Sequence, residues 1–198
     1  MAATNTSYLT LQQYLELEEK AEYKSEYYQG RMWPLGGTPF GMAGGRSAHS
    51  IITMNLGGEL RSALKPRCVI CSSDMSISTG PDGLYTYPDI SVVCGTPEFL
   101  NNDRTLLNPI IVIEVLSKTT EAHDRGFKFT QYQQIPSLQE YVLVSQTEPS
   151  VEIFRRGPNG AWGLKTYTAL DTTAQFESVG CGVPMREIYL CVEFAGAR

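Results

Sequence analysis

The sequence predicts an α/β fold, a mixed β-sheet flanked by helices with an added C-terminal hairpin. Three observations carry that expectation. The run "NPIIVIEVL" (108–116) is apolar on both of its alternating faces, as a central strand must be. A helical stretch, "HDRGFKFTQYQQI" ended by Pro136, and a second apolar strand, "EYVLVS", follow it. That order fits a crossover between parallel neighbours. Finally, "VEIFRRGPNGAWGLKTYTAL" reads as a hairpin turning at "GPNG".

The remaining elements follow from local pattern. Leu11, Tyr14 and Leu15, with Leu17 or Glu18, fall at helical spacing behind Thr10, a suitable N-cap. "YYQGRMWPL" reads as strand with a turn at Gly30. Across 41–66, Ile51, Ile52, Leu56, Leu60 and Leu64 are spaced for an amphipathic helix that Pro66 follows, although Gly57 and Gly58 weaken it. "RCVICSSDMSIST" and "YTYPDISVVC" each read as one strand, separated by the turn signal "GPDG". "PMREIYL" reads as a short helix. With no repeat, low-complexity tract or linker, residues 1–198 are expected to form a single domain.

Composition narrows the function classes. Hydrophobic residues make up 42% of the chain and charged residues 19%, ordinary values for a soluble globular protein. No stretch approaches the ~18 uncharged apolar residues of a membrane span, and the N-terminal residues lack the pattern of a secretory signal. A cytoplasmic location is the expectation. The net charge of −5 argues against a broad, sequence-blind nucleic-acid surface. It leaves room for local basic patches, such as Lys118, Arg125 and Lys128 after Glu114. Five cysteines include a C-x-x-C at Cys68 and Cys71, with no second pair or nearby histidines to complete a zinc site. Buried core thiols are the expectation there.

Two carboxylates stand out. Glu114 lies mid-run in the most apolar strand, where an unpaired charge costs several kcal/mol, and Asp89 opens another apolar run after Pro88. If their strands are neighbours, the carboxylates converge at one end of the sheet. Such a pair suits a hard cation that keeps several waters, such as Mg²⁺. Asp124, Lys128 and Tyr132 repeat at i, i+4 and i+8, so a helix packed over the strand would aim Lys128 at the acids. Plainer readings stand beside this one. An ion pair with Lys128 or Arg125 would satisfy Glu114 without catalysis, Asp89 is also a common turn cap, and Glu26 is acceptable as a solvated residue near a turn.

In order along the chain, "SEYYQG", "AHS", "SSDMSI", "YPDISVV", "NPIIVIEVLSKTT", "DRGFKFTQY" and "EYVLVS" resemble the Uma2 (DUF820) family, abundant in cyanobacteria. That family consists of restriction-endonuclease-like proteins of the PD-(D/E)XK nuclease superfamily. The resemblance runs from about residue 10 to about residue 190. It implies that Pro88-Asp89 and Glu114 are the acidic motif and that Glu26 is a further metal-shell acid. The superfamily's lysine stands two residues beyond the second acid, where this chain has Leu116. Lys128 fits the relocated role. His49 and Asp74 also match family positions.

The resulting expectation is a Mg²⁺- or Mn²⁺-dependent endonuclease hydrolysing DNA. Asp89, Glu114 and Lys128 would be catalytic, with Asp89, Glu114 and Glu26 around the metal. A dimer joining two clefts would help an acidic chain hold DNA. The alternatives are a catalytically silent module of the same fold binding DNA or a protein, and a hydrolase using the two acids on another substrate.

Overall fold

The computed structural model describes residues 8–35 and 47–194. The first six strands are β1 (Ser25–Tyr28), β2 (Arg31–Pro34), β3 (Cys68–Ser72), β4 (Ser76–Ser78), β5 (Tyr85–Thr86) and β6 (Ile90–Cys94). Then come β7 (Phe99–Leu100), β8 (Thr105–Leu106), β9 (Ile111–Leu116) and β10 (Glu140–Ser145). The last four are β11 (Val151–Arg156), β12 (Trp162–Tyr167), β13 (Thr173–Phe176) and β14 (Cys181–Pro184).

The main sheet has the order β12-β11-β10-β9-β6-β3. Only β9 and β10 run parallel, and the helical segment between them is the expected crossover. Alternation along β9 separates two cores. Ile111, Ile113 and Val115 face the first, with Ile52, Leu56, Leu60 and Leu64. Those four belong to helix α2 (Ser47–Leu64), and all are fully buried. Their packing outweighs the propensity cost of Gly57 and Gly58, through which the helix runs unbroken. Residues 41–46 of the expected helix lie outside the described residues. Val112 and Leu116 face the second core, with Tyr132, Leu138 and Tyr141.

The hairpin β11–β12 extends the main sheet, and β13–β14 form a separate two-stranded ribbon followed by a short helix, Met185–Ile188. Helix α1 (Leu11–Lys20) starts at a capping box in which Thr10 and Gln13 satisfy each other's backbone amides. It covers a second, smaller sheet of order β2-β1-β5-β4-β8-β7, where Tyr14, Tyr27 and Tyr85 form a third cluster.

Two expectations need correcting. The stretches 67–79 and 85–94 are not single strands, since each gives one strand to each sheet: β3 and β4 from the first, β5 and β6 from the second. A turn closed by the Met75 amide on the Ser72 carbonyl breaks the first. Pro88, which has no N–H to give a ladder, breaks the second. Asp89 therefore stands where the chain crosses between sheets. Nor is Cys68 a core thiol. The antiparallel register of β3 and β6 sets it opposite Cys94, and the two form a disulfide. Cys71, Cys181 and Cys191 are free.

Candidate active site

Glu114 points from β9 into the second core and is 4% exposed. Burying this carboxylate is tolerable because Oε1 takes two donors: the Tyr132 hydroxyl at 2.7 Å and Lys128 Nζ at 3.1 Å. Both come from the crossover segment. It is helical over Glu121–His123, π-helical over Asp124–Lys128 and α-helical again over Phe129–Tyr132. A π turn is rare and is found disproportionately at functional sites.

Asp124, Lys128 and Tyr132 turn one face toward Glu114. Lys128 Nζ also lies 3.1 Å from Asp124 Oδ1 and 3.7 Å from Glu26 Oε1, so three carboxylates surround one buried ammonium. Burial alone would lower the Lys128 pKa, but Glu114, Asp124 and Glu26 together raise it, and the side chain stays charged. Lys118 is exposed in the turn after β9 and makes no ion pair among the described residues.

Glu26 arrives from β1 in the smaller sheet and is 3% exposed. The Thr86 hydroxyl donates to its Oε1, and Trp33 Nε1 donates to Oε2 at 2.7 Å. His123 Nε2 stands 3.3 Å from the same Oε2. Burial alone would raise the carboxyl pKa, yet His123, the Lys128 charge, Thr86 and Trp33 hold it at about 2.

Asp89 immediately precedes β6, and the register that pairs Ile90 with Ile113 sets it opposite Glu114. Its Oδ2 accepts the Val115 amide at 2.7 Å, continuing the inter-strand contact where the β6 ladder stops. The same oxygen is 3.2 Å from His49 Nε2, at the start of α2. The bond to Asp89 raises the His49 pKa against an opposing effect of burial. Burial pushes Glu114 up to about 8; the Asp124 and Asp89 charges add to this, against Lys128 and Tyr132. The site is therefore rich in negative charge.

Among the described residues, no three carboxylate, imidazole or thiol groups form a ready-made metal cage. What the site offers is two carboxylates with one hydrogen-bonded oxygen each. No described donor bonds to Glu114 Oε2 or Asp89 Oδ1. Two hard oxygen donors completed by waters is a coordination that Mg²⁺ accepts, so the donor set fits. Glu26, by contrast, has both oxygens engaged within the chain.

Thr86, Trp33 and His123 were not singled out by the sequence, because three separate elements bring them to Glu26. One signal was available: the chain has only two histidines, and each contacts a carboxylate of this cluster. Asp74 is elsewhere, paired with Lys24 at 2.7 Å with an 86% exposed side chain.

The fold is a mixed α/β fold that a solved structure shares. It matches the crystal structure of a "putative nuclease belonging to DUF820" from Anabaena variabilis ATCC 29413, with a TM-score of 0.71 and 20% identity. The match covers 91% of this chain and 97% of that one. The chain belongs to the Uma2 family, described as "putative restriction endonuclease", whose model matches residues 11–185. Relatives include the "uncharacterized protein slr1290" of Synechocystis sp. PCC 6803, 34% identical over 187 residues and 94% of each chain. Another from that organism, the "uncharacterized protein sll1609", is 34% identical over 83% of this chain and 90% of its own. No helix among the described residues is long and apolar enough to cross a membrane.

Proposed function

We propose that the protein is a metal-dependent endonuclease that hydrolyses DNA phosphodiester bonds. The observation carrying this reading is the buried Glu114–Lys128 contact with Asp89 set across the strand from Glu114. Asp89 and Glu114 would hold Mg²⁺ or Mn²⁺ through their open oxygens. Such an ion, when bound, polarises a phosphoryl oxygen and lowers the pKa of a coordinated water. Lys128 keeps its proton, so it serves as a fixed cation that orients the attacking water and offsets charge accumulating on the scissile phosphate. Asp124 and Glu26 anchor that ammonium from two further sides. With both its oxygens taken, Glu26 acts through Lys128 more than on the ion. We further propose a cytoplasmic protein that acts as a dimer, so that two clefts share one DNA duplex.

A second reading, a catalytically silent module binding DNA or a protein, is favoured by one observation: Lys128 and Tyr132 already neutralise Glu114 within the chain. Incubating purified protein with mixed DNA and RNA substrates in Mg²⁺, in Mn²⁺ and with chelator separates the two. The nuclease reading expects metal-dependent DNA cleavage that Asp89→Asn abolishes while the fold persists. Metal binding with no cleavage of any substrate would support the silent module instead. Cleavage undiminished in Asp89→Asn would place the activity elsewhere.

A further inference from the structure

We propose that Tyr132 is a positioning residue that determines which oxygen of Glu114 is offered to a cation. The inference rests on the reading of Asp89 and Glu114 as a cation site. A carboxylate's terminal torsion is broad, so Glu114 needs outside contacts to hold one orientation. Tyr132 supplies the shorter of its two contacts, at 2.7 Å, to the same Oε1 that Lys128 approaches at 3.1 Å. Two donors thus converge on one oxygen, and Oε2 is left without a described donor.

The phenol is well placed for this task. Its ring is fully buried and packs edge-on against Tyr141, with centroids 5.1 Å apart. Its hydroxyl donates to Glu114 Oε1 from a site that burial keeps dry. Lys128 alone cannot fix the carboxylate in this way. Its ammonium is shared among Glu114, Asp124 and Glu26, and has three rotatable donors. Without the Tyr132 hydroxyl, Glu114 is free to rotate so that both oxygens approach Lys128, and Oε2 is no longer kept free of donors.

A purely structural hydroxyl would behave differently. Its loss would lower stability but leave the metal affinity of the folded protein unchanged. Tyr141 provides the control: it is equally buried, and its hydroxyl donates to the Asp124 carbonyl oxygen at 3.0 Å instead of to Glu114.

Calorimetric titration of the full chain with MnCl₂ tests the proposal, on wild type, Tyr132→Phe, Tyr132→Met and Tyr141→Phe, each checked for folding by circular dichroism. The methionine variant removes the hydroxyl in a second way and supplies the comparison should the phenylalanine variant not fold. Tyr132→Phe is expected to bind Mn²⁺ about 10- to 100-fold more weakly, the usual effect of losing a group that orients a metal ligand. Tyr141→Phe is expected to stay within about twofold of wild type. Unchanged affinity in Tyr132→Phe, or an equal loss in Tyr141→Phe, overturns the positioning role alone. Wild-type protein that does not bind Mn²⁺ overturns the cation site itself and this inference with it.

Discussion

Lys128 Nζ stands 3.1 Å from Glu114 Oε1, with the two side chains 6% and 5% exposed. The same ammonium faces Glu26, a buried carboxylate that is ionised at neutral pH, so removing Lys128 leaves an uncompensated buried charge. The cost is about 3–5 kcal/mol, larger than a pair of this kind contributes over an apolar replacement. Lys128→Met should therefore lower unfolding free energy by about that amount at neutral pH, read by urea denaturation. Lys128→Met with Glu26→Gln should recover part of it, because the carboxylate that stays ionised at neutral pH is then no longer stranded. Equal stability of wild type and the single variant would show that the contact carries little energy.

The same cluster sets an unusual pH dependence. Glu114 has a folded-state pKa of about 8 against an ordinary 4.5. Its contribution is full below about pH 4.5 and is lost as pH rises through 8. Glu26, held at about 2, runs oppositely: its contribution is present above 4.5 and lost as pH falls through 2. Metal-free protein should accordingly lose thermal stability between pH 5 and 9, and Glu114→Gln should flatten the decline. A melting temperature that rises over that range in wild type, with the same slope in the variant, would contradict the raised pKa.

Cation binding must displace the Glu114 proton, which couples the two equilibria. Mg²⁺ affinity should rise by up to tenfold per pH unit until about pH 8 and then level off, with close to one proton released per ion at pH 6–7. Calorimetry in buffers of different ionisation enthalpy measures that release. No proton release would mean that Glu114 is already ionised or is not a ligand.

His49 and Asp89 give a second, weaker linkage. The folded-state pKa of His49 is raised, so the stability of its contact with Asp89 is full below about 6.5 and fades as pH passes that raised value. His49→Ala should cost about 1 kcal/mol at pH 6 and clearly less at pH 9. An equal cost at both values would assign His49 a packing role instead.

Much of this arrangement is legible in the sequence wherever a period is long enough to read. The two-sided apolar character of 110–116 identifies β9, and the i, i+4, i+8 spacing places Asp124, Lys128 and Tyr132 on the face that meets Glu114. Of the smaller sheet only the β1–β2 segment with its turn at Gly30 is legible, because the other strands are two or three residues long and show no alternation. Register is equally hidden. Nothing local pairs Cys68 with Cys94, or brings Trp33 and Thr86 to Glu26, until strands distant in sequence are laid side by side. The π turn at Asp124–Lys128 carries no signature in the sequence.

The central claim is that Asp89 and Glu114 together hold a hard divalent cation. Crystals grown with Mn²⁺ and measured near the manganese absorption edge test it most directly. The expected result is a single anomalous peak within coordination distance of Asp89 Oδ1 and Glu114 Oε2, with Lys128 Nζ still beside Glu114 Oε1. A peak at other carboxylates, with Glu114 retaining only its Lys128 and Tyr132 partners, would contradict it.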